Sequence, residues 1–297
     1  MIQKKTFWLE LRSGPLRLGE RTLIMGVLNV TPDSFSDGGK FFNAGRAVQH
    51  ALAMQRDGAD IIDIGAESTR PGSLAISAAE ELRRLLPVLQ ALRGKMKIPI
   101  SVDTQKSAVA ELALGAGVEI VNDISGLRSD PQLARVAAEY GAPLILMHMR
   151  GTPRTMQKGP FARDVMRDVL SGLRKSIAIA KMFGVKRSQI VIDPGIGFGK
   201  SYSQNYELLA KLPELAKLGY PIMVGTSRKG FLGAALEKTG KPPRAEERIW
   251  GTAATVAASI LNGAHMVRVH DLAEMKQVAL VADRLIRPDL SRENDRS

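Results

Sequence analysis

The chain has 297 residues, enough for one large domain or two ordinary ones, and with 44% hydrophobic but only 5% aromatic residues its core must be mainly Leu, Ile, Val and Ala. It contains no cysteine, which excludes disulfides, thiolate nucleophiles and cysteine-ligated zinc. The formal charge of +12 comes from 42 basic against 30 acidic residues, but the basic residues are scattered among acids without aromatic interleaving, which argues against a nucleic-acid partner.

Residues 6–18 alternate between apolar and polar around Ser13-Gly14-Pro15 and predict a short β-hairpin of the kind that plugs a barrel floor. Eight apolar runs follow, at 23–28, 61–64, 98–102, 119–121, 144–147, 190–192, 222–224 and 266–269. They close in turn on Asn29, on Gly65 and Glu67, on Asp103, Asn122, His148, Asp193 and Gly225, and the last is threaded by Arg268 and His270. Helical patterns at 44–57, 78–93, 106–115, 131–140, 161–183, 203–218, 245–262 and 272–287 separate and follow these runs. Several end at a glycine, such as Gly141, Gly184 and Gly263, as expected of helices that stop in the left-handed conformation.

Eight strands alternating with eight helices predict an α/β fold, a single (β/α)8 TIM barrel with an N-terminal β-hairpin. The hairpin extension covers 1–20, the barrel 21–287 and a solvated tail 288–297. An open doubly wound sheet would carry a glycine-rich fingerprint after its first strand, and Val30-Thr31-Pro32-Asp33 is not one. The first residues lack an apolar leader, and no run approaches the ~20 apolar residues of a membrane span. A cytoplasmic protein with no membrane partner is expected.

In such a barrel the carboxyl ends of all strands meet at one rim. Asp103, Asn122 and Asp193 would there present a carboxylate, an amide and a carboxylate, which suits a flat ring with several N–H donors on one edge, such as a pterin or guanine. Capping of the next helix is the plainer alternative for any one of them. Arg268 and His270 are two apart on a strand and share a face, so Arg268 should point inward and meet an anion at the mouth, or else pair with Asp271 or Glu67. Lys229 in the loop at 225–230 is a candidate ligand contact, and Arg228 could equally be a surface residue. The glycine loop at 193–200 offers close backbone approach, and Phe198 could stack on a ring. Asn29 supplies a neutral oxygen suited to Mg²⁺. The four histidines have no zinc spacing, no GxSxG elbow is present, and Met147 and Met149 read as barrel core.

The segments at 25–39, 63–72, 101–104, 121–126, 193–200, 227–229 and 268–271 together resemble, in order, the motifs of the dihydropteroate synthases, a pterin-binding TIM-barrel family. The resemblance implies condensation of 6-hydroxymethyl-7,8-dihydropterin diphosphate with para-aminobenzoate, with Mg²⁺ as cofactor and a homodimer as the assembly. It implies that Asp103, Asn122, Asp193 and Lys229 hold the pterin, and that Asn29 reaches the metal. Arg268, His270 and Thr69 would grip the diphosphate, and Asp103, Lys229, Arg268 and His270 would be the catalytic set. Loops carrying Phe35, Asp37, Ser68, Arg70 and Pro71 would close over the aminobenzoate with Phe198 beneath, and Met147 and Gly225 would complete the substrate site. Two positions depart from the pattern: Ala66 stands where a second glycine is usual, and Gly230 where a hydroxyl or larger side chain is frequent. A methyltetrahydrofolate-binding methyltransferase domain or a non-catalytic pterin-binding paralogue are the alternatives, but neither needs the loops at 31–39 and 68–72 together with the diphosphate grip.

Overall fold

Two short strands, β1 (Phe7–Leu11) and β2 (Gly14–Leu18), pair antiparallel with Phe7 opposite Leu18 and Leu11 opposite Gly14. The computed structural model describes residues 4–31, 44–237 and 240–288. After the hairpin, strands and helices alternate: β3 (Leu23–Asn29), α1 (Ala44–Arg56), β4 (Ile61–Gly65), α2 (Ala78–Leu92), β5 (Ile100–Asp103), α3 (Ser107–Gly115), β6 (Ile120–Asp123), α4 (Gln132–Glu139), β7 (Leu144–Met147) and α5 (Val165–Met182). The second half continues with β8 (Ile190–Asp193), α6 (Tyr202–Ala210), β9 (Met223–Val224), α7 (Gly230–Ala235), α8 (Ile249–Leu261), β10 (Met266–Val269) and α9 (Leu272–Ile286).

The eight strands from β3 onward are all parallel and run in the order β8-β7-β6-β5-β4-β3-β10-β9. A parallel bridge between Ile192 and Ile222 joins the two ends of that order, and the Ile192 amide donates to the Pro221 carbonyl at 3.0 Å. The sheet is therefore a nearly closed barrel. Its strands read as continuous Ile, Val and Leu runs because both faces are buried, one against the helices and one inside the barrel.

The hairpin closes the floor. Leu9 and Leu18 pack with Leu23, Met25, Ile61, Ile120, Ile145, Val191, Met223 and Met266 in one buried cluster of inward-facing side chains. At the edges Lys4 donates to Thr22 and Asp283, and Arg12 donates to the carbonyls of Leu114 and Val118. With the floor sealed by apolar side chains, the interior opens at the carboxyl rim.

Local signals set the helix ends. Ser77 caps α2 by accepting from the Glu80 amide, and Asp164 caps α5 by accepting from the Arg167 amide. Ser201 and Gln204 cap α6 reciprocally, satisfying donors that the helix leaves free. Gly184 follows α5 with φ 92°, a conformation a side chain would resist. The helix expected at 203–218 is broken into α6 and a 3-10 helix, Leu212–Leu218, because Pro213 has no amide proton to continue the first. The pattern at 161–183 becomes helical only from Val165, after the Asp164 cap. Residues 230–235, where no helical pattern was read from sequence, form α7, six residues being too few to show a helical period.

Candidate active site

Inward-facing positions on a strand recur every second residue, and in this barrel that rule stacks a polar layer on the apolar one. Two residues beyond Ile61, Ser101, Ile120, Val191 and Met266 stand Asp63, Asp103, Asn122, Asp193 and Arg268. All but Arg268 are buried, and Arg268 is nearly so. Together with Met147, Gly225 and the loops above, Asp103, Asn122, Asp193 and Arg268 line an open cleft, with Asp63 buried against Arg268. Its lining brings together Thr69, Asp103, Asn122, Met147, Asp193, Phe198, Gly225, Lys229, Arg268 and His270, all predicted from sequence, and adds Ile124, Met223 and Ser227, which were not.

Arg268 is not unpaired, and neither predicted partner holds it. Its Nε donates to Asp63 at 2.6 Å and its Nη2 to Asp103 at 2.8 Å. Glu67 instead pairs with Lys106, and Asp271 takes a bidentate contact from Arg228, which is thus an anchored residue and not a free surface one. The two carboxylates leave Arg268 a fixed cation at the cleft floor. Burial pushes the Asp103 carboxyl up from its usual range, with Arg268 opposing and Asp63 adding to the rise. Asp193 is also pushed up by burial, against the hydrogen bond it accepts from the Gly195 amide at 2.6 Å. His270 is held down to about 3 by burial and by Arg268, so near pH 7 it is a neutral imidazole, with Nδ1 3.0 Å from Ser227 Oγ.

The loop after β8 is shaped for Lys229. A Cβ on Gly195, at φ 67°, would run into the His148 carbonyl, and one on Gly197, at φ 85°, would press on the Lys229 side chain. Only glycine serves at these two positions. Lys229 Nζ donates to the Ile196 carbonyl and sits 4.3 Å from the Phe198 ring centre, a cation over an aromatic face. Burial lowers Lys229 to about 8. Behind the loop, Lys200 is almost wholly buried and donates to the carbonyls of His148 and Phe198.

Of the loop after β4, Thr69 alone among the residues predicted there lines the cleft, while Ser68, Arg70 and Pro71 are exposed. The loop is pinned by the Gly72 amide to the Pro153 carbonyl at 3.0 Å. Phe35 and Asp37 lie outside the described residues. Asn29 ends β3 half-buried, opposite Gly65. Among the described residues no group of three or more His, Cys, Asp or Glu could hold a metal. A divalent ion at Asn29 would depend on ligand phosphates and water, a donor set that fits Mg²⁺. Ala66 is fully buried and its carbonyl accepts from Arg84, and a Cβ on Gly230 would meet only Tyr202 Oη at 3.7 Å, so neither departure distorts the cleft. Asp63 was missed because it reads as part of an apolar strand; its place two residues after Ile61 was the available signal.

The model of a family described as pterin binding enzyme matches residues 25–270. A dihydropteroate synthase from Synechocystis sp. is 49% identical over 269 residues, covering 91% of this chain and 92% of that one. A crystal structure of a dihydropteroate synthase from Clostridium difficile in the presence of pteroic acid matches with TM-score 0.84 and 47% identity over 91% of this chain and 98% of that one. A Xanthomonas albilineans dihydropteroate synthase with 4-aminobenzoic acid matches with TM-score 0.87 and 38% identity, covering 95% and 99%.

Below pH 8 the Lys229 amine is charged and above it neutral, because its pKa lies below the ordinary 10.5. An anion gripped by Arg268 also feels the charge on Lys229, which stands in the same cleft; inorganic diphosphate, corrected for its own titration, is therefore expected to bind more weakly as pH rises through about 8, and Lys229→Met to lose that step while Arg268 keeps the anion. Calorimetry from pH 6.5 to 9.5 checks this, and a step that survives Lys229→Met assigns it to another group.

Proposed function

The chain belongs to the pterin-binding enzyme family, among its dihydropteroate synthases, and from that premise we propose that Asp103, Asn122, Asp193 and Lys229 hold the pterin while Thr69, Arg268 and His270 grip the diphosphate. The activity is condensation of 6-hydroxymethyl-7,8-dihydropterin diphosphate with para-aminobenzoate, giving 7,8-dihydropteroate and diphosphate. The observation that carries the residue assignment is the meeting of two carboxylates and an amide with two cations in one cleft above a sealed floor. Acceptors and Lys229 face the ring, and Arg268 faces the anion.

The arylamine nitrogen attacks the exocyclic methylene carbon, the carbon–oxygen bond breaks with its electron pair leaving on the diphosphate, and the nitrogen gives up a proton. Arg268 meets the charge growing on the leaving oxygens from a position already fixed by Asp63 and Asp103, so little reorganisation is needed at that moment. His270, neutral, contributes a hydrogen bond there and no charge. The carboxylates of Asp103 and Asp193 stabilise the electron-poor ring and methylene. Phe198 and Met147 form an apolar wall that keeps water from the carbon. Mg²⁺ held by Asn29 and the phosphates supplies further neutralisation of the leaving group when bound. The exposed Ser68, Arg70 and Pro71 of the loop after β4, with Phe35 and Asp37, contact the aminobenzoate.

Purified protein supplied with Mg²⁺ and both substrates should form dihydropteroate; no turnover above a no-enzyme control would overturn the assignment. Asp193→Ala should weaken pterin binding by roughly 10- to 100-fold, the cost of ring donors left without an acceptor. Unchanged calorimetric affinity removes Asp193 from the pterin site.

Asn29→Ala should raise the Mg²⁺ concentration needed for half-maximal turnover, with the pterin affinity measured without metal unaltered. An unshifted Mg²⁺ titration separates Asn29 from the ion.

The working assembly is a homodimer in the cytoplasm. An apolar face between α8 and α9, formed by Ala253, Ala257, Val278, Val281 and Leu285, is open to solvent, and Trp250 beside it is 80% exposed. Exposed apolar patches of this kind favour association, and a second copy of the chain fits the family. Val281→Asp with Leu285→Asp should yield a monomer by sedimentation; a variant that sediments as wild type places the interface elsewhere. No helix among the described residues is long and apolar enough to cross a membrane.

A further inference from the structure

Asp63 helps to fix Arg268 and has no contact with substrate assigned above, yet it also holds a second residue of the site, Asn122. It is fully buried on β4, and its Oδ2 accepts from both Asn122 Nδ2 at 2.9 Å and Arg268 Nε at 2.6 Å. The other end of the Asn122 amide, Oδ1, is buried and has no hydrogen-bond partner among the described residues. The two ends of an amide have nearly the same shape, so its neighbours alone decide which end points where. Asp63, ion-paired with Arg268, is a carboxylate that only accepts. It can take the NH₂ end of Asn122 and repels the oxygen.

We propose that Asp63 is a positioning residue that fixes the polarity of the Asn122 amide, turning its oxygen to the substrate so that Asn122 reads a ring N–H donor and rejects an acceptor. The proposal rests on the reading that the pterin ring lies against Asn122. With Asn122 held this way, it joins the carboxylates of Asp103 and Asp193 as a third acceptor, matching the three N–H-bearing positions of a dihydropterin, N3, the 2-amino group and N8. A carbonyl or bare nitrogen in place of the N–H group that Asn122 meets would oppose a lone pair with a lone pair, while the amide remains tied to Asp63. The discrimination thus comes from a residue that never touches the ring.

The probe is 6-hydroxymethyl-7,8-dihydropterin, which keeps the ring N–H donors of the substrate but lacks the diphosphate, and so removes the Arg268 grip on an anion from the measurement. Its calorimetric affinity is compared in wild type, Asn122→Ala, Asp63→Ala, Asp63→Asn and the double variant Asp63→Ala/Asn122→Ala, with thermal melts for folding. Asp63→Ala is expected to bind roughly tenfold more weakly, since nothing at 63 then dictates which end of Asn122 turns to the ring. Asp63→Asn should keep near-wild-type affinity, because Arg268 Nε holds an amide oxygen at the position it shares with Asn122, where that oxygen still accepts from the Asn122 NH₂. The double variant should bind no more weakly than Asn122→Ala, since Asp63 acts on the ring only through Asn122. A general loosening of the core would instead add its cost in the double variant. Wild-type affinity in Asp63→Ala, a tenfold loss in Asp63→Asn, or additive losses in the double variant overturns the proposal. If Asp63→Ala does not fold, Asp63→Asn read against wild type decides in the same way. Wild-type affinity in Asn122→Ala would instead overturn the underlying reading that the ring lies there, and the proposal with it.

Discussion

A guanidinium inside a barrel must bring its counter-charge with it. Burying an unpaired cation costs several kcal/mol, and removing one partner of a buried pair typically costs about 3–5 kcal/mol. Arg268 meets this constraint with Asp63 on β4 and Asp103 on β5, so three strands are joined across the interior by one ionic network. The network makes Arg268 rigid where it would otherwise swing, orders Asn122 through the shared Asp63 oxygen, and leaves Asp103 partly neutralised. The polar layer is possible because the layer beneath it is apolar and the hairpin seals the floor, which keeps water from competing for these contacts.

The same burial sorts the charges around the cleft. His270 is driven to a neutral imidazole, which removes a cation that would have stood beside Arg268. Lys229 keeps its charge only below about 8. Asp103 and Asp193 are pushed the other way, toward protonation. In each case desolvation is the largest cause, and it acts against the charged form whatever its sign. A ligand with N–H donors on one edge and an anion on its tail reverses those pressures, because it brings partners to the carboxylates and to the cations together. The cleft is electrostatically unfinished, and the substrate completes it.

Much of this was legible in the sequence, and the parts that were not have a common physical reason. The strands, the rim residues Asp103, Asn122, Asp193 and the Arg268/His270 pair follow from runs and spacing that are local in the chain. The partners of Arg268 were not legible, because Asp63 lies 205 residues away and a single chain says nothing of which strands meet. Glu67 and Asp271 were nearer guesses by type, yet each is claimed by another cation, Lys106 and Arg228. The exposure of Ser68, Arg70 and Pro71 depends on how the loop after β4 is pinned to Pro153, which no periodicity encodes. The α7 helix, with only six residues between Lys229 and Leu236, is below the length at which pattern can speak.

The segment Ser227-Arg228-Lys229 shows how neighbouring residues divide a task. Arg228 carries φ 61°, a left-handed conformation that costs a non-glycine residue about 1–2 kcal/mol, and it is held there from several sides. Its amide donates to Thr252 Oγ1, its carbonyl accepts from Arg248, and its guanidinium grips Asp271. That reversed backbone is what sends the next side chain, Lys229, inward to the Ile196 carbonyl and over Phe198, while Ser227 turns back to His270. Arg228 therefore serves the cleft without entering it, much as Asp63 does from below. An exchange of Arg228 for lysine would keep the charge, but it would lose the two-pronged contact with Asp271 that offsets the backbone cost.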